Sequence, residues 1–565
     1  MASILMRSEG ALAVAAAAMT SYVWFRKYEP SDAISLVILL GLVPTTAAAF
    51  AKGPMEPILA TLVVAYLLYY GVLLLLIAAY RLSPIHPLHH YPGPFTCKLS
   101  KFWLVYLTYK GKQHVYFHTL HRMYGPVVRV GPNELSIVDV ELIPSIMGTN
   151  GMPKGPMWDG RKISRSSGPP NVKGNLVGAR NKEDHAEMRR VWNRAFTTAS
   201  VKKYEPIVIR RASQLVEELK RRCSQDPEDG REGMEVDLAR WVSCFSFDFM
   251  GDFVFGGAFE LMRDGDKEGL LHTLDQGLVL PAMTQHIPWC IRAVQAMPFL
   301  GKQTILLGRI AYQQVTRRLK EGSIYDDLFY HLSDEAKVEK ERPSFHVIMS
   351  NSMTGLIAGS DTAATALSSI FFLLCIHSGC FERLRDEVDD AFPPRKGEPT
   401  DTAKLAKMEY LNAVINEALR IYPPAPTTLQ RAPTRGSGGH LLGPNFFVPE
   451  GTAVYVPPFA IHRDPRYFSP DPERFWPERW LPGAEDAGAC TVKEAFIPFS
   501  TGPANCVGKP LALMEMRMVV AYMIQAFDFR LQPEYDQDEW ERKLQDFLVL
   551  QKGMLPVILS VRQPM

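Results

Sequence analysis

The sequence has little net charge and few cysteines, and both shortages narrow the possible functions. The formal net charge of the 565-residue chain is only +2, so the chain as a whole has no electrostatic support for binding nucleic acid. Its eight cysteines include no CxxC pair, which argues against a zinc ribbon or an iron–sulfur cluster. Sparse, unpaired cysteines also argue against a disulfide framework and fit a reducing compartment.

Linkers and repeats are also missing. No serine- or glycine-rich linker, low-complexity tract or internal repeat divides the chain after about residue 100, so we expect one large catalytic unit. Long helical patterns dominate, whereas the strand-like runs VVRVG and AVYVPP are short. These patterns predict a mainly α fold of the α+β class, with a helical domain and smaller β-sheets.

Only one local stretch is strongly basic. This stretch could bind an acidic partner, although each of its residues, taken singly, is expected to lie on a solvated helix face. The stretch consists of Arg189, Arg190, Arg194, Lys202, Lys203, Arg210 and Arg211.

Apolar runs near the amino terminus predict a membrane anchor. Ile58 to Tyr80 is a run of 23 residues without a charged side chain, long enough as a helix to cross a hydrocarbon layer of roughly 30 Å. Two weaker runs precede it, Ala11 to Phe25 and Ile34 to Phe50, and Pro44 interrupts the second. Residues 1–82 are therefore predicted to form an anchor with one to three transmembrane segments.

Charges at the ends of these runs predict the orientation of the anchor. With three spans, Arg26, Lys27 and Arg81 would lie on the same, cytosolic side as the catalytic mass. The bias is slight, because Arg7 and Lys52 fall on the opposite side.

A proline-rich segment follows the anchor. Residues 83–94 contain four prolines, cannot continue a helix, and are expected to form a stiff hinge before a catalytic domain of residues 95–565. His86, His89 and His90 lie in or beside this hinge without acidic or cysteine neighbours. We expect them to be a solvated interfacial cluster and not metal ligands.

The most specific motif is FIPFSTGPANCVGKPLALMEMR, residues 496–517. Here a turn-rich loop leads through Cys506 into an apolar helical pattern. Because the amide end of a helix favours negative charge, Cys506 should ionise readily. From its residues alone, Cys506 could also be a buried structural thiol, or a nucleophile served by a histidine such as His462.

The pattern Phe499-x-x-Gly502-x-x-x-Cys506-x-Gly508 resembles the haem loop of the cytochrome P-450 family. The resemblance covers the chain from about Pro92 to the carboxy terminus and implies haem b with Cys506 as the axial thiolate. Gly502 and Gly508 would let the loop press flat against the porphyrin. Ala504 stands where most members carry a basic residue that pairs with a haem propionate, so we expect other residues to do this work.

Two segments resemble the family's ion-pair triad. Glu417 and Arg420 are three residues apart in a helical pattern, so they share one face. The downstream FWPERW resembles the family's second arginine-bearing segment and adds Arg479. We expect Glu417, Arg420 and Arg479 to form a network that stabilises the fold behind the cysteine loop.

A long apolar segment from Ser344 to about Ser378 predicts a buried helix, with Ser344 as its cap. Its centre, Ala358 to Thr362, resembles the family's oxygen-binding signature, in which a glycine and a hydroxyl residue open the helix. The resemblance implies that Thr362 assists oxygen activation and relays protons, and that Asp361 connects this relay to solvent. Without the cysteine loop, an Asp–Thr pair bonded to its own backbone would be the preferred reading.

The resemblance also suggests partners for the haem and for the substrate. His185, Arg189 and Arg431 match the positions of propionate partners, whereas Trp192 is expected to be core packing. The implied substrate pocket is generically hydrophobic and would hold an apolar, membrane-partitioning small molecule. Its predicted segments are the loop before Asn181 and residues 278–300, 355–363, 424–428 and 549–553.

Together these features predict a haem-thiolate monooxygenase. It would use O2 and electrons from NADPH through a flavoprotein reductase, and would lie in the endoplasmic reticulum membrane with its catalytic domain facing the cytosol. Loop sequences of fungal type favour specialised metabolism, with terpenoids as the suggested substrates. Two alternatives stay open: a haem-thiolate isomerase or dehydratase that does not use O2, and a non-catalytic haem-binding membrane protein.

Overall fold

Helices dominate the described residues, which also form five small sheets. The computed structural model describes residues 8–28, 33–52, 57–162, 174–225, 233–323, 325–394 and 397–562. The predicted fold class, mainly α with smaller sheets, is confirmed.

The helices and strands have the following bounds. The α-helices are α1 (Ser8–Tyr28), α2 (Ala33–Val37), α3 (Val43–Ala51), α4 (Ile58–Leu82), α5 (Phe95–Leu99), α6 (Phe102–Tyr109), α7 (Gln113–Tyr124), α8 (Ile143–Met147), α9 (Met157–Gly160), α10 (Lys182–Ala195), α11 (Thr198–Lys203), α12 (Glu205–Gln225), α13 (Leu238–Phe255), α14 (Leu261–Asp264), α15 (Leu270–Thr284), α16 (Ile291–Ala296), α17 (Lys302–Glu321), α18 (Leu328–Leu332), α19 (Phe345–Ile376), α20 (Ser378–Ala391), α21 (Thr402–Leu405), α22 (Glu409–Ile421), α23 (Pro458–Ile461), α24 (Lys509–Ala526) and α25 (Gln537–Lys543). The strands are β1 (Val127–Gly131), β2 (Glu134–Ile137), β3 (Met234–Asp237), β4 (Gln430–Arg431), β5 (Gly439–Gly443), β6 (Phe446–Pro449), β7 (Ala453–Tyr455), β8 (Phe468–Ser469), β9 (Cys490–Thr491), β10 (Phe527–Leu531), β11 (Gln545–Phe547), β12 (Val549–Gln551) and β13 (Pro556–Val561).

The predicted long helix, α19, lies at the centre of the main core. Ser344 caps it by accepting a hydrogen bond from the Val347 amide. Its 32 residues span about 48 Å at the helical rise of 1.5 Å per residue, and most of its side chains are buried against α13, α22 and α24. The surrounding helices therefore pack around this one long helix.

The sheets are short, and the buried side chains of the two larger sheets belong to the hydrophobic cores. The largest has the order β1-β2-β7-β4, in which β2 and β7 are parallel and the other pairs are antiparallel. A three-stranded antiparallel sheet has the order β10-β13-β3, and β5–β6, β8–β9 and β11–β12 form two-stranded ladders. A second hydrophobic core lies beside the four-stranded sheet.

Two helical segments near the amino terminus are long and apolar enough to cross a membrane. They are Ile34–Ala51 and α4, and they confirm two of the predicted runs. Pro44 does not end the first segment, because a π-helix at Ile38–Leu42 joins α2 to α3 and absorbs the missing amide. α19 also passes by length and composition, but its burial makes it a core helix.

The proline-rich segment is attached to the catalytic domain. The Arg129 amide donates to the Pro92 carbonyl at 2.7 Å, and Leu88 is buried in the second core. The expected solvated histidine cluster is wrong for His86. This side chain is buried, with its Nε2 atom 3.2 Å from Asn133 Oδ1 and its Nδ1 atom accepting from the Leu88 amide. Any bending of the predicted hinge would have to break these contacts.

Candidate active site

The Cys506 loop lies between a short 3-10 turn, Gly502–Ala504, and the first turn of α24. The Cys506 amide donates to the Phe499 carbonyl at 2.9 Å, which closes the loop, and the Lys509 ammonium lies 5.6 Å from the centre of the Phe499 ring. Because α24 begins at Lys509, Cys506 lies just before the amino-terminal end of a helix, as the sequence predicts. The arrangement presents one thiol on a loop of fixed shape.

The Cys506 thiol does not ionise as readily as its position suggests. Although the side chain is accessible to solvent, enough protein surrounds it that desolvation raises the pKa of the thiol. The Gly508 and Lys509 amides and the positive charges of Arg189 and Lys509 act in the opposite direction but do not outweigh burial. The end of the helix therefore lowers the pKa of the Cys506 thiol by less than burial raises it.

Gly502 and Gly508 differ in how strictly they must be glycine. Gly502 has φ +72°, and a Cβ atom there would lie 2.0 Å from the Met147 carbonyl oxygen, so no other residue fits. Gly508 has φ −80°, and a Cβ atom would be 3.8 Å from the Phe196 ring, which is ordinary contact. Packing within the described chain therefore requires glycine at position 502. At position 508 it requires neither a positive φ nor the absence of a side chain.

Arg189 is bonded directly to the cysteine loop. Its guanidinium donates to the Asn505 carbonyl at 2.5 Å and to Asn505 Oδ1 at 2.8 Å, while its Nε atom donates to Asn193 in the same helix, α10. Asn181 caps α10 and sets the position of this helix. Arg189 therefore ties α10 to the residue that precedes Cys506.

Basic side chains gather near this contact without acidic partners. Lys154 and Arg431 pair through an isolated β-bridge and are both buried. The Lys154 ammonium donates to the carbonyls of Leu176 and Val177, and an Arg431 Nη1 atom donates to the Gln430 carbonyl. Within the described ranges, neither these two residues nor His185 or Arg189 forms an ion pair.

The positive charges in this cluster oppose one another. Burial, then the charges of Lys154, Arg189 and Arg431, lower the pKa of His185 to about 4. Burial, then Arg431 and other cations, lower the pKa of Lys154 to about 7. Because buried cations normally have anionic partners, the cluster fits a ligand that carries carboxylates, such as the two haem propionates.

The centre of α19 is not opened. The helix is continuous through the predicted oxygen-binding signature, and the Thr362 hydroxyl donates to the Ala358 carbonyl one turn earlier at 2.6 Å. A Cβ atom at Gly359 would lie 2.5 Å from the Met250 sulfur, so this glycine allows α13 to pack closely against α19. The predicted opening of the helix is therefore wrong for the described chain.

Asp361 differs from its neighbour because its carboxyl is not bonded to its own helix. It is buried, and its Oδ2 atom has no hydrogen-bond partner in the described part of the chain. Burial raises the pKa of Asp361 to about 6, while Lys552 lowers this pKa and Asp275 raises it. An unpartnered buried oxygen of this kind can accept a hydrogen bond from a water or a bound molecule.

Two contacts place Lys552 and Asp275 near Asp361. The Thr365 hydroxyl, one turn beyond Asp361, donates to the Leu550 carbonyl at 2.9 Å. The Gln551 side chain donates to the Asp275 carbonyl in α15 at 2.9 Å. The β12 ladder therefore bridges α19 and α15, and the positive charge of the following Lys552 acts to lower the pKa of both Asp361 and Asp275.

Glu417, Arg420 and Arg479 lie together and are fully buried. Arg420 donates to both Glu417 carboxylate oxygens at 2.8 Å, and Arg479 Nε donates to one of them at 2.9 Å. The Trp476 amide and the Trp480 indole complete the set of donors. Burial alone raises the pKa of Glu417, but the two arginines outweigh it and hold this pKa below its usual value.

The structure also decides two alternatives raised by the sequence. His462 is buried, with one ring nitrogen facing the Arg420 carbonyl and the other accepting from the Ile497 amide, so it is not the base of a nucleophilic Cys506. In the basic stretch, Arg190 and Arg194 pair with Glu339, Lys203 with Asp326, and Arg210 and Arg211 with Asp252. Five residues of the basic stretch therefore form ion pairs within the chain.

Sequence reasoning missed Lys154 and Asp275, and it included Lys552 only as part of the predicted pocket segment 549–553 without singling it out. Each meets its neighbours through residues that are distant along the chain, so no local spacing points to them. Only the pairing of strand β4 with the Lys154 segment and the seating of β12 on two helices bring these side chains to the site.

The chain belongs to the cytochrome P-450 family, whose family model matches residues 90–556. It is 31% identical over 497 residues to the cytochrome P-450 monooxygenase FCK2 of Fusarium pseudograminearum, covering 87% of this chain and 85% of that one. It is 32% identical over 486 residues to tryprostatin B 6-hydroxylase of Aspergillus fumigatus, covering 84% and 81% of the two chains. Monooxygenase notG' of Aspergillus versicolor is 30% identical, covering 88% and 86%. The chain is therefore an enzyme of the oxidoreductase class, and family membership implies haem with cysteine thiolate ligation.

Proposed function

We propose that this protein is a membrane-anchored haem-thiolate monooxygenase in which Cys506 would hold the haem iron. It inserts one oxygen atom of O2 into an apolar small molecule with electrons from NADPH, delivered by a flavoprotein reductase. The alternative haem-thiolate isomerase would need neither O2 nor reductase. The acid and hydroxyl at Asp361 and Thr362 favour the oxygen-using reaction.

One observation carries this proposal: a thiol on a closed loop lies near four basic side chains that form no ion pair in the described chain, of which Lys154 and Arg431 are buried and His185 and Arg189 half-buried. His185, Arg189, Arg431 and Lys154 fit the two propionates of a porphyrin, and Cys506 fits its iron. Lys154 and Arg431 are the candidates to replace the basic residue missing at Ala504. Phe499 and Gly502 shape the loop that would face the ring.

When bound, a haem thiolate activates O2 for insertion into a C–H bond. The side chains of this chain have separate tasks in that reaction. Asp361, with its unpartnered oxygen, would hold and release a proton, and Thr362 would guide a proton or water once its hydroxyl leaves the Ala358 carbonyl. Glu417, Arg420 and Arg479 would keep the fold behind the loop rigid.

The proposed site of action is the endoplasmic reticulum membrane, with the catalytic domain in the cytosol. Two apolar helices near the amino terminus support membrane anchoring. We propose an apolar substrate of specialised metabolism and keep terpenoids as the suggested class. A relative named for hydroxylating tryprostatin B supports specialised metabolism without selecting terpenoids.

The test is oxygen incorporation under 18O2. Microsomes that contain the protein, a fungal reductase and NADPH are incubated with candidate apolar metabolites, and products are examined by mass spectrometry. The proposal predicts one 18O atom per product and a requirement for both NADPH and reductase. A product that forms without O2 and reductase would instead indicate the isomerase or dehydratase alternative.

A further inference from the structure

The helices of the amino-terminal region form a bundle and not a single span. The middle segment, residues 33–51, is composed of α2, the π-helix and α3, and it contacts both α1 and α4. The buried face of α1 has small residues at helical spacing, Gly10, Val14, Ala18 and Ser21. A Cβ atom at Gly10 would lie 2.8 Å from the Ala51 Cβ atom, so the two backbones approach closely.

The middle segment has a backbone defect that would be costly in lipid. Pro44 has no amide hydrogen, so it cannot donate to the Leu40 carbonyl as in an α-helix or to the Leu39 carbonyl as in a π-helix. Within a bilayer no water can replace the missing donor, and each unsatisfied carbonyl costs several kcal/mol. Another chain element must therefore supply the donors.

Three tyrosines of α4 supply them. Tyr69 donates to the Leu39 carbonyl and Tyr70 to the Leu40 carbonyl, both at 2.6 Å, and these are the two carbonyls to which an amide at position 44 could have donated in a π-helix or an α-helix. Tyr66 donates to the next carbonyl, Gly41, at 2.9 Å, and Thr45 also donates there. We call Tyr66, Tyr69 and Tyr70 the tyrosine ladder. Each of the three hydroxyls donates to one of three consecutive carbonyls of the middle segment, Leu39, Leu40 and Gly41.

The ends of the bundle define one side of a membrane. The Arg26 guanidinium lies 4.0 Å from the centre of the Tyr80 ring, so the basic ends of α1 and α4 lie at the same level. At that level Arg81 donates to the Leu99 carbonyl of the catalytic domain. The outward side chains of the helices are apolar and exposed, including Leu12, Trp24, Phe50, Leu67 and Leu74.

We propose that α1, the middle segment and α4 cross the bilayer as a three-span bundle locked by the tyrosine ladder, with the amino terminus on the side opposite the catalytic domain. Lipid is the occupant of the outward face, because all three helices expose apolar side chains there. Arg26, Lys27 and Arg81 lie at one end of the bundle and Lys52 at the other, so the charge bias toward the catalytic side is slight. α1 is less apolar than the other two segments, but its 21 residues measure about 31 Å at 1.5 Å per residue, which is long enough to span once it is packed against them. The proposal does not depend on haem or on catalysis.

Glycosylation mapping of the full chain in endoplasmic reticulum membranes tests this topology. The sequence has no Asn-x-Ser/Thr site, so added acceptor tags report without background. Three spans predict that a tag at the amino terminus is glycosylated and that a tag inserted between Tyr28 and Ala33 is not. Two spans would leave both tags unmodified, and a single span would modify both, so either result would overturn the proposal.

The tyrosine ladder is tested in the chain that carries the amino-terminal tag. Replacing Tyr66, Tyr69 and Tyr70 together with Phe should lower the glycosylated fraction, whereas Tyr80→Phe, on the same helix but without a hydroxyl contact in the described chain, should not. Adding Pro44→Ala to the triple variant returns the missing amide and should restore the fraction. A triple variant that matches Tyr80→Phe, or one that Pro44→Ala fails to restore, would contradict the role of the ladder.

Discussion

Single buried charges account for much of the stability behind the cysteine loop. In Glu417→Gln the neutral amide no longer balances Arg420 and Arg479, both of which stay buried. We expect the free energy of unfolding to fall by about 3–5 kcal/mol, the usual cost of breaking a buried ion pair from one side. Urea unfolding followed by circular dichroism measures this loss.

The matched control is Glu409→Gln, which makes the same chemical change at the exposed first residue of the same helix. It should alter the free energy of unfolding by less than about 0.5 kcal/mol. Equal losses in the two variants would mean that the buried network adds nothing specific.

The catalytic activity should depend on pH through the titration of Asp361, whose pKa is shifted by neighbouring charges. Burial raises the pKa of Asp361 to about 6, and the positive charge of Lys552 keeps it from rising further. Lys552→Met removes a charge that stabilises the carboxylate, so the pH at which activity changes should move upward. Asp275→Asn removes a repelling charge and should move it downward. The measurement is the rate of product formation between pH 5 and about 8, the range in which such a group titrates.

Lys340→Met, an exposed and remote change, serves as the control and should leave the pH profile in place. Shifts of the same direction in Lys552→Met and Asp275→Asn would show that charge near Asp361 does not set the profile.

Residue spacing along the chain reveals contacts within one helix but not contacts across the fold. The three-residue spacing of Glu417 and Arg420 places them on one face, and the position of Cys506 before an apolar helix follows from its loop. Spacing cannot show that burial raises the pKa of the Cys506 thiol. It also cannot show that Lys154 meets Arg431, since tertiary packing brings these distant segments together.

The packing of helix α13 against helix α19 depends on the absence of a side chain at Gly359. Gly359→Ala would place a Cβ atom 2.4 Å from the methyl group of the flexible Met250 side chain, which must shift, and should destabilise the fold by about 1 kcal/mol, the low end for overpacking. Met250→Ala alone should cost about 2–5 kcal/mol by leaving a cavity. Combined, the two changes should cost less than their sum, because the added methyl occupies vacated space.

Chemical unfolding of the four proteins in this cycle gives the coupling energy. Strict additivity would contradict the close approach of the two helices at this position.

Element bounds were largely predictable where composition and caps agree. The apolar run and the Ser344 cap predict α19 closely, and the uncharged run from Ile58 predicts α4. The passage of the middle segment through Pro44 could not be predicted, because the compensating hydroxyls lie on another helix. Likewise, which side chains of α19 are buried depends on the helices that pack against it and not on the sequence of α19 alone.

For the whole molecule, the anchor and the catalytic domain are predicted to be separable at residue 82 but not at residue 94. Deleting residues 1–82 should release the protein from membranes under alkaline carbonate with its fold intact. Deleting residues 1–94 also removes His86, Leu88 and the Pro92 carbonyl, which contact the β1–β2 hairpin or the second core beside it. This larger deletion should lower the melting temperature.

Sedimentation after carbonate treatment and differential scanning fluorimetry compare the two deletions. Equal melting temperatures would show that the proline-rich segment is a free linker after all.

The central claim is that Cys506 binds haem iron as a thiolate, and the reduced carbon monoxide difference spectrum tests it most directly. The wild-type protein should show the long-wavelength Soret band of thiolate ligation. Cys506→Ser should lose it, and the exposed Cys490→Ser should retain it. A thiolate band that survives in Cys506→Ser, or a wild-type protein that takes up no haem, would contradict the account.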